Sequence, residues 1–225
     1  MSYILNIESS STNCSISLTK DGNLLSLVEK NDEKYSHSTK LHSYINEVIS
    51  DSKITINELS AIAVSKGPGS YTGLRIGVAA AKGLCFSLDI PLISISTLLI
   101  LSKQIKISSG LIVPVLDARR DEVYSAIYDV NYKLVKEETP EIIDNISFEN
   151  YSKDNEIYFI GSGQKKCKEL IESNSNLIFY NKETYPSSKE MTEISYQKFL
   201  SSEFEDIAYF EPAYLKNFIL DSVNR

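Results

Sequence analysis

The chain runs through one pattern twice, and that repetition limits its architecture more than any single motif. Tyr3–Ile7 reads as a buried strand and Cys14–Leu18 alternates apolar and polar residues as a half-buried strand does. Asp21-Gly22 then supplies a hairpin turn before Leu24–Val28. A shift of 109 positions brings up Ile112–Leu116 as a second apolar strand, Val123–Tyr128 as a second alternating one, and Asn131 near a second turn. Under it Ile4 maps to Val113, Ile7 to Leu116, Glu8 to Asp117, Cys14 to Val123, Leu18 to Ile127 and Leu25 to Leu134. Leu5 meets Pro114 and Ile16 meets Ser125, so the two copies have diverged. An internal duplication is expected.

Each half continues with helix and strand signals. In the first, a helix near Ser38–Ser50 precedes strand Ala61–Ser65, helix Leu74–Phe86 and strand Leu92–Ser96. In the second, strand Glu156–Ile160 leads into a helix over Gln164–Ser173, and a later helix covers Lys189–Glu203. Three hairpin-linked strands followed by alternating helices and strands, given twice, predict an α/β chain with the duplicated actin-like ATPase fold. Its lobes are expected at residues 1–105 and 106–225. Glu8 and Asp117 should then end the two equivalent first strands and face the cleft. The hairpin approaches Glu8–Asn13 and Asp117–Glu122 contain no glycine, and Arg119 and Arg120 are bulky. Both features argue against a standard nucleotide cradle and against ATP hydrolysis by this chain alone.

Lys66-Gly-Pro-Gly-Ser-Tyr-Thr-Gly-Leu-Arg75 links an apolar strand to a helix. Gly67, Pro68, Gly69, Ser70, Tyr71, Thr72 and Gly73 are therefore candidates for a loop that aims backbone N–H groups at an anion. The loop is not a Walker A sequence, because no Gly-Lys-Ser/Thr closes it. A tight turn without a ligand is the competing reading.

Candidate chemistry is otherwise sparse. His37 and His42 lie five residues apart and point about 140° from each other on a helix, which does not suit a zinc pair. Neither His-Glu-x-x-His nor Gly-x-Ser-x-Gly occurs. Glu8, Asp117, Asp121 and Glu122 read as polar hairpin ends rather than as an acid–base pair. No catalytic residue, metal or cofactor is expected. Cys14, Cys85 and Cys167, odd in number and far apart, suggest reduced thiols and a cytoplasmic setting. The start Met1–Ile7 reads as a strand rather than a signal peptide, and no apolar run reaches the roughly 20 residues needed to span a bilayer. A net charge of −7 argues against a nucleic-acid grip by this chain alone, and the run Gln164–Lys168 reads as a solvated helix face.

What remains is a surface for partners. Leu41, Tyr44, Ile45, Val48 and Ile49 form one apolar stripe on the first helix. Gly73, Gly77 and Ala81 recur at four-residue steps on the next, with Arg75, Ile76, Ala80 and Gly83 beside them. Interior glycine costs a helix roughly 1 kcal/mol relative to alanine, so something should approach closely. That neighbour is either the protein's own sheet or a helix of another subunit.

Lys66–Gly77 with Ala81-Lys-Gly-Leu84 and Ile93–Leu98 resembles the TsaB (YeaZ) family. Further matches are Ser36-His-Ser38 with Leu41, Leu116–Arg119, Asp121–Tyr124 and Glu211–Asn217, so the resemblance runs nearly end to end. It implies the duplicated actin-like fold and a role in placing threonylcarbamoyl on the adenosine beside the anticodon of tRNA. It further implies a non-catalytic subunit that binds the TsaD transferase through helices of its N-terminal half, joined by the TsaE ATPase. The tRNA would be met only through the complex and no membrane is involved, while homodimer formation by the chain alone is left open. TsaD carries a His-x-x-x-His motif after the segment equivalent to Ile93–Leu98, where this chain continues Leu99-Ile-Leu-Ser-Lys103. Glu8 stands where relatives commonly place Asp, and Tyr71 where Phe is frequent. Glu137–Ser188 matches little beyond Gly161-Ser-Gly163. The competing functional reading is a small-molecule kinase or hydrolase that uses the cleft. A peptidase ranks third.

Overall fold

The computed structural model describes residues 1–31, 37–172, 174–180, 182 and 184–216. The first half holds β1 (Tyr3–Glu8), β2 (Asn13–Lys20), β3 (Asn23–Asn31), α1 (His37–Asp51), β4 (Ala61–Gly67), α2 (Tyr71–Leu88), β5 (Leu92–Ser96) and α3 (Thr97–Ser102). The second repeats the order with β6 (Leu111–Asp117), β7 (Glu122–Tyr128), β8 (Leu134–Ile142), α4 (Glu149–Ser152), β9 (Ile157–Ile160), α5 (Gln164–Leu170), β10 (Leu177–Phe179) and α6 (Met191–Leu200). The sheets have equivalent strand orders, β3-β2-β1-β4-β5 and β8-β7-β6-β9-β10. In each, the first three strands are antiparallel and the later ones join in parallel.

Side-chain alternation explains the layers. Cys14, Ile16 and Leu18 of β2 join Leu5 and Ile7 of β1 under α1 and α2, where Leu41, Ile45 and Val48 complete the core. The opposite face of β2 is polar, and Ser15 and Ser17 hydrogen-bond to Ser188 just before α6. The helices that end each half cross over. Leu98 and Leu101 of α3 pack against Ile112, Leu116 and Ile160 of the second sheet. Met191 and Ile194 of α6 pack against Ile4, Ala63, Ile93 and Ile95 of the first. This exchange interlocks the lobes.

The duplication is present, but its register differs from a uniform shift. Ile7 pairs with Ile16 and Val115 pairs with Ser125, so β2 maps to β7 by 109 positions while β1 maps to β6 by 108 (Ile7 to Val115). The hairpin of the second lobe contains one extra residue. A one-residue slip turns every side chain of a strand to the other face. Leu116, not Asp117, therefore occupies the position of Glu8, and Asp117 is exposed.

Other differences are local. The short helix α3 and strand β10 lie in segments too brief for a clear periodic signal. The helix expected over Gln164–Ser173 stops at Leu170, and α6 is shorter at both ends than the expected Lys189–Glu203. After α6 the chain runs back as a strap. The Glu205 amide donates to Leu92 O at 2.8 Å, Lys82 Nζ donates to Phe210 O at 2.9 Å, and the Ala213 amide donates to Lys66 O at 2.7 Å.

Candidate functional site

The glycine-rich turn is occupied by the protein itself. Gly69, Gly73 and Gly77 face the first hairpin loop, and a Cβ at Gly69 would overlap Ser10, while one at Gly73 or Gly77 would overlap Ser9. The Ser70 amide donates to Ser10 O at 2.6 Å, and Ser9 Oγ donates to Gly73 O at 2.9 Å. At the N-terminus of α2, Ser70 Oγ accepts the Gly73 amide at 3.3 Å. Residues 9 and 10 thus take up the space in front of the turn, and the Ser70 amide is partnered by the chain's own Ser10 carbonyl. Gly161 and Gly163 pack likewise against Val115.

Glu8 lies beneath that loop with no solvent exposure. Its Oε1 accepts the Ser10 amide at 2.6 Å, which gives this N–H an internal carboxyl as its partner. Burial pushes the Glu8 carboxyl up to about 7, against smaller opposing effects of the Ser10 hydroxyl and amide and the Ser65 hydroxyl. Oε2 and both hydroxyls complete no hydrogen bond. Glu8 does not reach an open cleft, contrary to its expected position. Asp117 instead pairs with Lys166 at 2.8 Å, so the two carboxylates do not converge.

Among the described residues no cluster of three His, Cys, Asp or Glu side chains is placed to hold a metal ion. Cys14, Cys85 and Cys167 are buried, which pushes their thiols up to about 11, 12 and 12. Such thiols are poor nucleophiles at neutral pH. His42 is exposed on α1, and the side chain of His37 lies outside the described residues.

The residues expected at a partner interface divide into two sets. Leu41, Ile45, Val48, Gly77 and Ala81 are buried, and all but Gly77 belong to the core formed with β1 and β2. Those five lie inward because an amphipathic helix presents its apolar stripe first to its own sheet. Tyr44, Ile76 and Ala80 are half-buried, whereas Arg75 and Gly83 are exposed. A Cβ on Gly83 would meet nothing within 4 Å. One turn further, Phe86 is 83% exposed.

The strap borders this surface in a way that no local pattern in the sequence announces. Arg75 Nε donates to Tyr214 Oη at 3.1 Å, the guanidinium stacks 4.2 Å from the Tyr71 ring, and the Tyr71 and Tyr214 rings are 5.0 Å apart. The signal was the Glu211–Lys216 segment, which local periodicity does not connect to α2.

These features define an actin-like protein whose first hairpin loop is closed by its own glycine-rich helix and whose second helix leaves one face uncovered. Residues 31–219 match the family model described as "TsaD: tRNA N6-adenosine threonylcarbamoyltransferase". The chain is 34% identical over 194 residues to the tRNA threonylcarbamoyladenosine biosynthesis protein TsaB of Buchnera aphidicola subsp. Schizaphis graminum, covering 84% of this chain and 90% of that one. It is 27% identical to Escherichia coli TsaB, covering 95% and 94% of the two chains, and 36% identical to Bacillus subtilis TsaB over 62% of each. A solved structure of YeaZ from Pseudomonas aeruginosa shares the fold with a TM-score of 0.82, 22% identity and coverage of 96% and 100%. The chain belongs to the TsaB (YeaZ) family.

Proposed function

We propose that this protein is a non-catalytic scaffold subunit that binds a TsaD-type transferase, together with a TsaE-type ATPase, for threonylcarbamoyl transfer to the adenosine beside the tRNA anticodon. The observation that carries this reading is the contrast between the glycines of α2. Gly73 and Gly77 are used by the chain's own loop, while Gly83 faces open space next to an exposed Phe86. An interior glycine that makes no close contact in its own chain suits the approach of an outside helix. The face around Arg75, Ala80 and Gly83 is the docking surface, and in the cytoplasm it serves the transferase or, without it, a second copy. A kinase or hydrolase role is disfavoured because the Ser10 and Ser70 amides are already partnered inside the chain.

Reconstitution tests the reading. Cognate TsaD, TsaE, donor, ATP and tRNA should give modified tRNA only when this chain is added, and the purified chain alone should transfer nothing. Equal modification without it overturns the scaffold role.

A further inference from the structure

The turn from β6 into β7 is not used by that reading. Arg119 and Arg120 are consecutive and both left-handed, at φ of 69° and 50°. Tight hairpin turns with such angles usually take Asn and Gly, so two arginines here give up conformational ease. The turn is nevertheless pinned. Asp117 Oδ1 accepts the Arg119 amide at 2.7 Å, and the Ala118 amide donates to Glu122 O at 3.0 Å.

The charges around the turn are sorted. Lys166 pairs with Asp117 at 2.8 Å and Lys216 of the strap pairs with Glu122, so the carboxylates at both ends of the turn are matched by lysines. The two arginines are exposed, and among the described residues neither guanidinium enters a hydrogen bond or ion pair. Burial, and next the Arg120 guanidinium, hold the Lys216 ammonium below its ordinary value, a sign of how closely the cations gather. The same strap leads two residues back to Tyr214 and its contact with Arg75, at the edge of the face assigned to the partner. Asp121 and Glu211 lie along this edge too, which makes it weakly rather than strongly cationic.

We infer that Arg119 and Arg120 contact the phosphodiester backbone of the RNA substrate when the partner subunit holds the reacting nucleoside. Forked guanidiniums at a rigid turn suit phosphate oxygens, and such contacts fix register without reading sequence. Two contacts on a chain of net charge −7 add to an RNA site shared between subunits instead of forming one alone. This inference rests on the scaffold reading.

The test uses the reconstituted complex with the transferase subunit and an unmodified tRNA transcript, with affinity measured across a salt series. The double variant Arg119→Asn, Arg120→Gly removes both charges and places residues suited to the left-handed angles, so the fold should be retained. Expected are a melting temperature at or above that of wild type, unchanged subunit assembly, binding about tenfold weaker, and a log K against log salt slope shallower by about one to two. Arg119→Lys with Arg120→Lys should keep most of the slope. Unchanged affinity and slope overturn the inference while leaving the scaffold role intact. Loss of subunit assembly in the Asn-Gly variant overturns it as well, since the turn would then dock protein. Failure of the wild-type chain to assemble with the transferase defeats the scaffold reading, and this inference with it.

Discussion

Glu8 holds the Ser10 amide at 2.6 Å from a carboxyl that no solvent reaches, at the end of β1 where the lobe turns its first hairpin. The contact fastens the loop from below while Gly69, Gly73 and Gly77 fasten it from the side of α2. Together they make the hairpin a packing element.

The Glu8 carboxyl gives stability a pH dependence of defined sign. Its folded value of about 7 lies above the ordinary 4.5, so the folded state retains a proton that the unfolded chain releases. Its contribution is full below about 4.5 and is lost as pH rises through about 7, roughly 3 kcal/mol in all. Urea unfolding of wild type and Glu8→Gln at pH 5 and pH 8 checks this. The variant should be the more stable protein at pH 8, with the difference closing at pH 5.

Gly73→Ala and Gly83→Ala should move stability in opposite directions. The first forces a Cβ onto the Ser9 carbonyl and is expected to cost about 2–4 kcal/mol. The second enters open space and should add up to about 1 kcal/mol through helix propensity. Thermal unfolding separates them, and equal effects would remove the distinction between inward and outward glycines.

Gly83→Leu should leave the isolated chain folded yet weaken transferase binding at least tenfold, read by titration calorimetry. A bulky side chain there would separate two closely packed helices. Wild-type affinity in this variant would move the interface elsewhere.

The strap should contribute measurably through Tyr214. Tyr214→Ala removes the ring contact with Tyr71 and the hydrogen bond from Arg75, for an expected loss of about 1–2 kcal/mol. Tyr209→Ala, at a ring 84% exposed, should change stability by less than about 0.5 kcal/mol.

Native thiols should resist labelling at pH 8. Cys14, Cys85 and Cys167 are buried and held high, so modification by a disulfide reagent should follow unfolding. Rapid reaction of any one in the folded protein would contradict its position.

Much of the fold was legible because its signals are local. The hairpins of both lobes, the stripe Leu41–Ile45–Val48 and the run from Ala61 through α2 each follow from residue order and periodicity. The exchange of α3 and α6 between sheets was not legible, since neither helix states which sheet its apolar face will meet. A one-residue difference between hairpins likewise escaped a uniform repeat, and it moved Asp117 away from the position of Glu8. The candidate site was read only halfway. The glycines of α2 announced close packing, but their neighbour Ser9 lies 64 residues before Gly73.

Sequence alone determined most of the strands, the duplicated order of elements and the glycine spacing, because these depend on residue order and on periods of two and 3.6 residues, and its matching motifs carried the resemblance to the family. Tertiary structure alone decided which glycines are consumed by the chain and which face outward. It also decided that Glu8 is buried against Ser10 and that the strap joins Tyr214 to Arg75. Those outcomes depend on contacts between segments far apart in the chain, where burial and steric fit, not local propensity, select the neighbour.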